Sequence, residues 1–127
     1  MLESTQAYDI LLVEDDPAHA ELISRAFESH PQCSITSIGT LDQARALLIN
    51  KPPDLIITDI RLPDGSGTEL LNPTEHIAAC PTIVMTSFGD ESVAVSAMKS
   101  GAADYIVKSP ETLISLPQTA NGKPNNT

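Results

Sequence analysis

An α/β fold, in which five parallel strands form one doubly wound sheet, is what the sequence predicts. Short apolar segments alternate along the chain with amphipathic segments of helical spacing, which is the pattern of repeated β-α units. The apolar segments are nearly continuous, as expected for strands that helices cover on both faces. With 127 residues, the chain is long enough for one domain with its own core.

The first two units have clear boundaries. Tyr8–Val13 is predicted to be the first strand, and Asp16 followed by Pro17 opens the first helix as N-cap and first helical residue. Cys33–Ile38 is a more polar segment, which is typical of a strand at a sheet edge. The segment Thr40–Gln43 has the spacing of a capping box and predicts the start of the second helix.

The third unit begins with a buried strand over Leu55–Thr58 that ends at Asp59. The helix after it is predicted to be split, because Pro73 cannot lie inside a helix without removing a hydrogen bond. The second part of this helix would begin at Asn72 as its cap and end near Ala79.

The last two units are shorter. Thr82–Thr86 predicts the fourth strand, and Asp90 caps the helix that follows it. Gly101 ends that helix, because glycine readily adopts the left-handed conformation of a helix C-terminus. Asp104–Lys108 predicts the fifth strand.

The C-terminal segment is a poor helix. Glu111–Leu116 would start one, but Pro117 and the polar segment Asn121–Thr127 do not continue it. We therefore expect a shortened or missing fifth helix, a domain over residues 1–116 and a flexible tail over residues 117–127. Either the fifth helix is a single turn or the chain is a fragment of something longer, and we expect no output domain among the residues given.

Composition excludes several classes of function. Hydrophobic residues make up 41% of the chain and aromatic residues only 3%, so the core must be aliphatic. The net charge is −10, with seven Lys and Arg against seventeen acids, and no basic patch is available to bind nucleic acid. No segment approaches the ~20 apolar residues of a membrane span, and no signal peptide is recognisable. We expect a cytoplasmic protein that binds neither nucleic acid nor membranes.

The cysteines and histidines show no motif spacing. Cys33 and Cys80 are isolated, so we expect small core residues rather than a disulfide or a metal site. His19, His30 and His76 have no partners at useful spacing and are expected to be surface residues without a functional role.

Two strands of the predicted sheet end in acid. Glu14 and Asp15 follow the first strand, and Asp59 ends the third. In the flavodoxin-like strand order 2-1-3-4-5, the ligand site lies where the winding switches, between strands one and three. Neighbouring strands lie ~4.8 Å apart, so Asp15 and Asp59 are expected to share one cation. Metal-assisted chemistry on phosphate is the function that such a site suggests.

Several short motifs follow one another in a recognisable order. An acidic pair follows the first strand, an Asp with Pro four and Gly eight residues later ends the third, and a hydroxyl residue ends the fourth. An aromatic residue and a lysine lie on the fifth. The residues are Glu14 and Asp15, Asp59 with Pro63 and Gly67, Thr86, Tyr105 and Lys108. With this set the chain resembles, from about Tyr8 to Leu116, the receiver domain of bacterial two-component response regulators.

The resemblance implies a role for each site residue. Asp59 would be the phosphoacceptor, forming an acyl phosphate. The ligands of Mg²⁺ would be Asp15 and Asp59 directly, the backbone carbonyl of Arg61, and Glu14 mainly through water.

The same resemblance implies a switch. Lys108 would contact the phosphoryl oxygens, and Thr86 would donate its hydroxyl to them. Movement of Thr86 would let Tyr105 turn inward and reshape the face formed by the fourth helix and fifth strand. The implied partners are a sensor histidine kinase or phosphotransfer protein and, at that face, a downstream effector or a second copy of the chain. No enzymatic activity beyond self-phosphorylation and self-dephosphorylation at Asp59 is implied.

Some residues depart from the family pattern. Ser109 separates Lys108 from Pro110, where the family usually has proline directly after the lysine, often across a cis bond. A cis bond between Lys108 and Ser109 would cost ~3 kcal/mol. Arg61 and Ser87 lie at positions that, in the family, tune how fast the phosphoryl group is lost.

Three other classes of protein compete with this interpretation. A haloacid-dehalogenase-type phosphatase also uses an Asp nucleophile with Mg²⁺, but its D-x-D motif lies on the first strand, whereas Arg61 stands two residues after Asp59 here. A flavodoxin-like FMN binder would need a pocket that does not repel phosphate. A receiver-like module that only binds partners, without phosphorylation, stays open because the fifth helix is short.

Overall fold

The computed structural model describes residues 7–72 and 80–120. It contains seven strands: β1 (Tyr8–Val13), β2 (Cys33–Ile38), β3 (Leu55–Asp59), β4 (Arg61–Leu62), β5 (Gly65–Ser66), β6 (Thr82–Thr86) and β7 (Asp104–Val107). Five of them form one parallel sheet in the order β2-β1-β3-β6-β7. Counted within that sheet alone, this is the predicted order 2-1-3-4-5. The remaining two, β4 and β5, form a small antiparallel hairpin directly after Asp59.

The helices lie between the strands, as predicted. They are α1 (Pro17–Ala26), α2 (Leu41–Asn50), α3 (Glu91–Lys99), α4 (Pro110–Ile114) and α5 (Leu116–Ala120). Here α3 is the predicted fourth helix and β7 the predicted fifth strand. Short 3₁₀ helices cover Phe27–Ser29 and Gly67–Leu71. The second of these stands where the first part of the split helix was predicted, whereas the predicted restart after Asn72 falls on residues 73–79, outside the described residues.

The burial of each strand agrees with its position in the sheet. All residues of β3 and β6 are buried, because these strands have a neighbour on each side and helices on both faces. By contrast, β2 has no fully buried residue, which confirms its predicted position at an edge of the sheet. The central strands therefore have nearly continuous apolar sequences because both of their faces are buried.

The core has two layers because successive strand residues point to opposite faces of the sheet. Ile10 and Leu12 pack on one face with residues of α1, α4 and α5, including Ile23, Leu113 and Leu116. On the other face, Leu11 and Val13 pack with α2 residues, and Val84 packs with Ala97 of α3. The sheet is thus covered on both faces, with its strand ends left free for a site.

Local capping follows the sequence with one difference. The Asp16 side chain accepts hydrogen bonds from the backbone N–H groups of Ala18 and His19, so it caps α1 as predicted. The Thr40 side chain accepts from the backbone N–H of Gln43. The reciprocal bond of the predicted capping box is shifted by one residue, since the Gln43 side chain accepts from the N–H of Gly39 rather than from that of Thr40.

The C-terminal boundary lies later than predicted. The predicted flexible tail was to begin at residue 117, but α5 runs from Leu116 to Ala120 and buries both Leu116 and Pro117. Pro117 is tolerated because it lies in the first turn of α5, where its missing N–H group costs no intrahelical bond. The fifth helix is therefore two short helices with Ser115 between them. Residues 121–127 of the predicted tail lie outside the described residues.

The two cysteines behave as small core residues. Cys33 and Cys80 are free and half-buried. Burial raises the pKa of both thiols, that of Cys80 to about 11, so neither is a reactive thiolate at neutral pH. Among the described residues there is no helix of the length and apolarity that crossing a membrane requires.

Candidate functional site

The ends of three strands bring the predicted site residues together. Asp59 is the last residue of β3, and Glu14 follows β1, whose Val13 pairs with Thr58. Lys108 follows β7, and its backbone N–H donates to the carbonyl of Thr86 at 2.8 Å. Because all strands of the sheet are parallel, their carboxyl ends meet at one edge. The parallel topology therefore places residues that are far apart in the sequence at one position.

A buried ion-pair cluster forms the centre of this site. The ammonium group of Lys108 donates to Asp59 Oδ2 at 2.7 Å and to Glu14 Oε1 at 2.8 Å. The side chains are 9%, 10% and 0% exposed for Lys108, Asp59 and Glu14. Charged groups this buried are stable only when they are paired. Lys108 is thus held between the two acids rather than in solvent.

The electrostatics reflect this burial. Burial raises the pKa of Glu14, and the negative charge of Asp59 adds to that effect, although the hydrogen bond from Lys108 opposes it. Burial acts to lower the pKa of Lys108, but the hydrogen bonds to Asp59 and Glu14 outweigh it, and the pKa of Lys108 is raised. Lys108 therefore keeps its positive charge between Asp59 and Glu14.

The donor set fits a hard divalent cation. Glu14, Asp15 and Asp59 each offer a carboxylate oxygen, and these atoms lie within 4.8 Å of one another. Asp15 is exposed, so an ion bound there would keep water ligands, as Mg²⁺ does in proteins. The backbone N–H of Arg61 lies 3.3 Å from Asp59 Oδ1, so this segment runs beside the site. Ligation by the Arg61 carbonyl stays a prediction.

The chain after Asp59 approaches its own strand closely at Gly67. The N–H of Gly67 donates to the carbonyl of Ile60 at 2.8 Å. A Cβ atom at this position would lie 2.0 Å from the carbonyl oxygen of Asp59 and 2.5 Å from the hydroxyl of Thr58. No side chain fits in that space. Glycine at this position thus lets the hairpin fold back against the residue that carries the candidate nucleophile.

The hairpin is anchored to α2 by contacts that the sequence did not reveal. The carboxylate of Asp64 accepts hydrogen bonds from the backbone N–H groups of Leu41, at 2.9 Å, and Asp42, at 3.0 Å. These bonds lower the pKa of Asp64. Glu69 forms an ion pair of 2.7 Å with Arg45. Asp64 therefore caps α2 from a loop more than twenty residues away in sequence, and no local pattern signals such a contact.

On the opposite side, the hairpin contacts the loop before α3. Arg61 Nε donates to Asp90 Oδ2 at 2.9 Å. Asp90 occupies the N-cap position of α3, but its side chain makes no capping hydrogen bond, so the predicted capping role of this carboxylate is wrong. The hydroxyl of Thr86 donates to the carbonyls of Ser87, at 3.4 Å, and Asp90, at 3.3 Å. Thr86 is thus turned into this loop.

Comparison with known proteins places the chain in a family. Residues 10–116 match the sequence profile of the response regulator receiver domain. The chain belongs to the response regulator receiver domain family. Its relatives include the methanogenesis regulatory protein FilR1 of Methanothrix harundinacea, which is 38% identical over 93% of this chain and 28% of its own length.

A second relative supports the assignment, and a solved structure shares the fold. The phosphate regulon regulatory protein PhoB of Pseudomonas aeruginosa is 36% identical over 83% of this chain and 48% of its own length. This receiver domain therefore spans less than half the length of either relative. The crystal structure of the cyanobacterial phytochrome response regulator RcpA shares its fold, with a TM-score of 0.76 and 24% identity over 91% of each chain.

Tyr105 lies at the α3 side of the receiver domain. It pairs with Val84 in the sheet register and is half-buried against the cluster of Ile60, Val84, Ala97 and Ala102. The predicted switch aromatic is therefore in contact with both the strand that carries Thr86 and the helix α3. Its movement between two positions stays a prediction.

The loop after Lys108 departs from the family pattern without a cis bond. The peptide bonds of the described residues are all trans, including that between Lys108 and Ser109. The inserted Ser109 caps α4, since its hydroxyl accepts from the backbone N–H of Thr112 at 3.1 Å. Pro110 then takes the first helical position. Ser109 thus converts the end of the strand directly into a helix start.

Two of the histidines are described. His19 was predicted to have no partner, and its Nδ1 makes no hydrogen bond to the described residues, although it lies 3.9 Å from Glu14 Oε1 and 3.7 Å from Asp16 Oδ2. The ring of His30 packs edge-on against Phe27. His76 lies outside the described residues.

Proposed function

We propose that this receiver domain is a phosphorylation switch in which Asp59 accepts a phosphoryl group in the presence of Mg²⁺. The observation that carries the proposal is the position of Asp59, whose carboxylate lies 2.7 Å from the Lys108 ammonium. It also lies within a cluster of three carboxylate oxygen donors. The donor of the phosphoryl group would be a phosphohistidine on a sensor kinase or phosphotransfer protein, as membership of the family suggests.

The reaction is a transfer between two residues. A carboxylate oxygen of Asp59 attacks the phosphorus of the phosphohistidine, the P–N bond breaks, and the imidazole leaves with a proton from solvent. An acyl phosphate then forms on Asp59. A bound Mg²⁺ supplies positive charge that offsets the carboxylates and the phosphoryl oxygens, and Glu14, Asp15 and Asp59 would hold it.

Lys108, Thr86 and Tyr105 would each respond to the phosphoryl group. Lys108 is already held against Asp59, so its ammonium group can move to a phosphoryl oxygen with little rearrangement. The hydroxyl of Thr86 would leave the loop carbonyls and donate to the phosphoryl group, since a phosphate oxygen is a stronger acceptor than a backbone carbonyl. Tyr105 and α3 would respond, and the face of α3 and β7 would bind an effector or a second copy.

The activity would end with hydrolysis of the acyl phosphate. We propose no activity beyond this self-phosphorylation and self-dephosphorylation at Asp59. An activity on a free phosphate ester would instead support the phosphatase interpretation.

Intact-protein mass spectrometry after incubation with acetyl phosphate and Mg²⁺ tests the proposal. We expect a gain of one phosphoryl group, which is lost in Asp59→Asn and when EDTA removes the metal. The matched control is Asp54→Asn, because Asp54 lies just before the other end of β3 and its carboxylate accepts from the N–H of Asp9, away from the site. This variant should be phosphorylated like the wild type.

A result without any mass gain would contradict the switch. A folded protein that gains no phosphoryl group from acetyl phosphate under any metal condition would be the partner-binding module that needs no phosphorylation. A gain that persists in Asp59→Asn would place the modification on another residue.

A further inference from the structure

The ion pair between Arg61 and Asp90 joins the two loops that flank the site. Arg61 lies two residues after Asp59, and Asp90 lies four residues after Thr86. The pair is 2.9 Å long, with the Asp90 side chain 24% exposed and the Arg61 side chain 71% exposed. It is thus a contact at the rim of the site, between the phosphoacceptor loop and the start of α3.

Asp90 acts on Thr86 through its backbone. Its carbonyl accepts a hydrogen bond of 3.3 Å from the Thr86 hydroxyl, while its carboxylate is held by Arg61. An Asp at an N-cap position ordinarily accepts from the N–H groups of the first helical turn. Here that bond is absent, and the carboxylate is directed across the loop. The pair with Arg61 therefore replaces the capping bond of α3.

We propose that Arg61 and Asp90 form a latch that stabilises the conformation in which the Thr86 hydroxyl is bonded to the loop. Asp90 is then a positioning residue, which acts on the site through Thr86, and Arg61 is its anchor. The proposal rests on the proposed function, because the conformation that opposes the latch is the one with a phosphoryl group on Asp59.

Phosphorylation would open the latch because each of its members has a second partner. The backbone N–H of Arg61 lies 3.3 Å from Asp59 Oδ1, so the long side chain of Arg61 starts beside the carboxylate that would carry the phosphoryl group and its new negative charge. Asp90, once released, can cap α3 with its carboxylate. Its carbonyl then moves with the loop, and Thr86 is free to turn. The ion pair thus biases a two-state equilibrium that the phosphoryl group reverses.

The size of the effect follows from the exposure of the pair. Exposed ion pairs contribute little, so release of the latch is expected to change the affinity for a phosphoryl mimic by about two- to fivefold. Such a change in affinity is measurable. It is also small enough that substitution of Arg61 or Asp90 should leave the protein folded.

Titration with BeF₃⁻ and Mg²⁺, followed by calorimetry, tests the latch through Asp90→Asn. This variant keeps the shape of the side chain but loses the charge that holds Arg61, so we expect it to bind BeF₃⁻ about two- to fivefold more tightly than the wild type. Glu91→Gln is the matched control, because Glu91 is an exposed acid in the first turn of α3. Equal effects of the two variants would show a general loss of negative charge and would overturn the latch.

The NMR signals of Thr86 report the conformation of this residue directly, so they separate release of the latch from a general loss of negative charge. In Asp90→Asn without ligand, we expect the Thr86 signals to shift toward their positions in the BeF₃⁻ complex. Arg61→Gln should shift them in the same direction, and the double variant should shift them no further than either single variant. Independent, additive shifts, or no shift in Asp90→Asn, would contradict the latch.

The two readouts separate this inference from the proposed function. If the wild type binds no BeF₃⁻, the proposed function fails, whatever the variants do. The ligand-free comparison of Thr86 between wild type and Asp90→Asn still tests whether Asp90 positions this residue, and an unchanged Thr86 there would overturn the latch by itself.

Discussion

The two sides of the loop after Asp59 are held in different ways. Toward α2, the Asp64 carboxylate accepts from the backbone N–H groups of Leu41 and Asp42, and Glu69 pairs with Arg45. These contacts join the loop both to the N-terminus of α2 and to a side chain on the surface of the same helix. The loop is therefore fixed on this side by several bonds that support one another.

Toward α3 the described side-chain hydrogen bonds are fewer or longer. Arg61 makes one ion pair, with Asp90, and the hydroxyl of Thr86 lies 3.3 and 3.4 Å from the loop carbonyls that accept from it. Phe88, in the same loop, is 89% exposed. A segment with few contacts opens at low free-energy cost. We therefore expect a change at Asp59 to be transmitted toward α3 and β7 rather than toward α2.

Gly67→Ala should have the largest effect, because it forces the loop after Asp59 away from the strand that carries Asp59. Its Cβ would lie 2.0 Å from the backbone carbonyl of Asp59, so the hairpin or the strand must move. We expect a loss of about 3 kcal/mol in the free energy of unfolding, measured by chemical denaturation.

Gly89→Ala is the control on the α3 side. Gly89 has a φ of +96°, and a Cβ there would meet nothing within 4 Å. Its cost is therefore backbone strain alone, about 1 kcal/mol. Equal losses in the two variants would show that the close approach at Gly67 costs no more than backbone strain.

Lys108→Met should have the second largest effect. The variant leaves Glu14 and Asp59 buried beside each other without a cation, and broken buried pairs are strongly destabilising. Protonation of Glu14, whose pKa is already raised, would limit the loss to about 2 kcal/mol. Because the folded state then binds more protons than the unfolded state, the loss should grow as the pH rises from 5 to 7.5.

Mg²⁺ distinguishes the origin of that loss. If charge is the cause, Mg²⁺ should raise the unfolding temperature of Lys108→Met by more than that of the wild type, since the ion replaces the missing positive charge. A loss of stability that Mg²⁺ does not restore would mean that Lys108 acts through packing. The ion pairs of Lys108 with Asp59 and Glu14 would then only stabilise the fold and would not respond to charge at the site.

Asp64→Asn should have the smallest effect, and one that depends on pH. The folded-state pKa of Asp64 is lowered by the two N–H groups of α2, so its stabilisation is present above the unfolded-state pKa and is lost as the pH falls through the folded-state value. We expect the unfolding temperature to fall by ~4 °C at pH 7, and the difference from wild type to shrink as the pH falls through the lowered folded-state pKa of Asp64.

Glu91→Gln provides the corresponding measurement at the start of α3. Glu91 is an exposed acid in the first turn of that helix, whereas Asp64 makes two backbone hydrogen bonds at the start of α2. A smaller change in the unfolding temperature is therefore expected. If Glu91→Gln lowered the unfolding temperature as much as Asp64→Asn, the hydrogen bonds of Asp64 would not hold the α2 side more firmly than the α3 side is held.

Much of the site could be predicted because it depends on strand ends. Asp59, Glu14 and Lys108 each follow an apolar segment, and parallel strands bring such positions to one edge whatever the loops between them do. The C-terminal boundary was predicted less well. Pro117 was taken as a helix stop, but burial of Leu116 in the core and the tolerance of proline in a first turn allow α5 to form there.

The sequence by itself determined the five strands of the parallel sheet and the residues at their ends, because these follow from local periodicity. The strand order was expected from the flavodoxin-like arrangement and from the resemblance to receiver domains, and the hairpin of β4 and β5 was not predicted. The tertiary structure alone decided which partners the loop side chains take. Asp64 caps a distant helix, and Asp90 leaves its own helix to bind Arg61. A carboxylate has several acceptable donors within reach, and which of them it meets depends on how the loops pack and on no pattern within the segment itself.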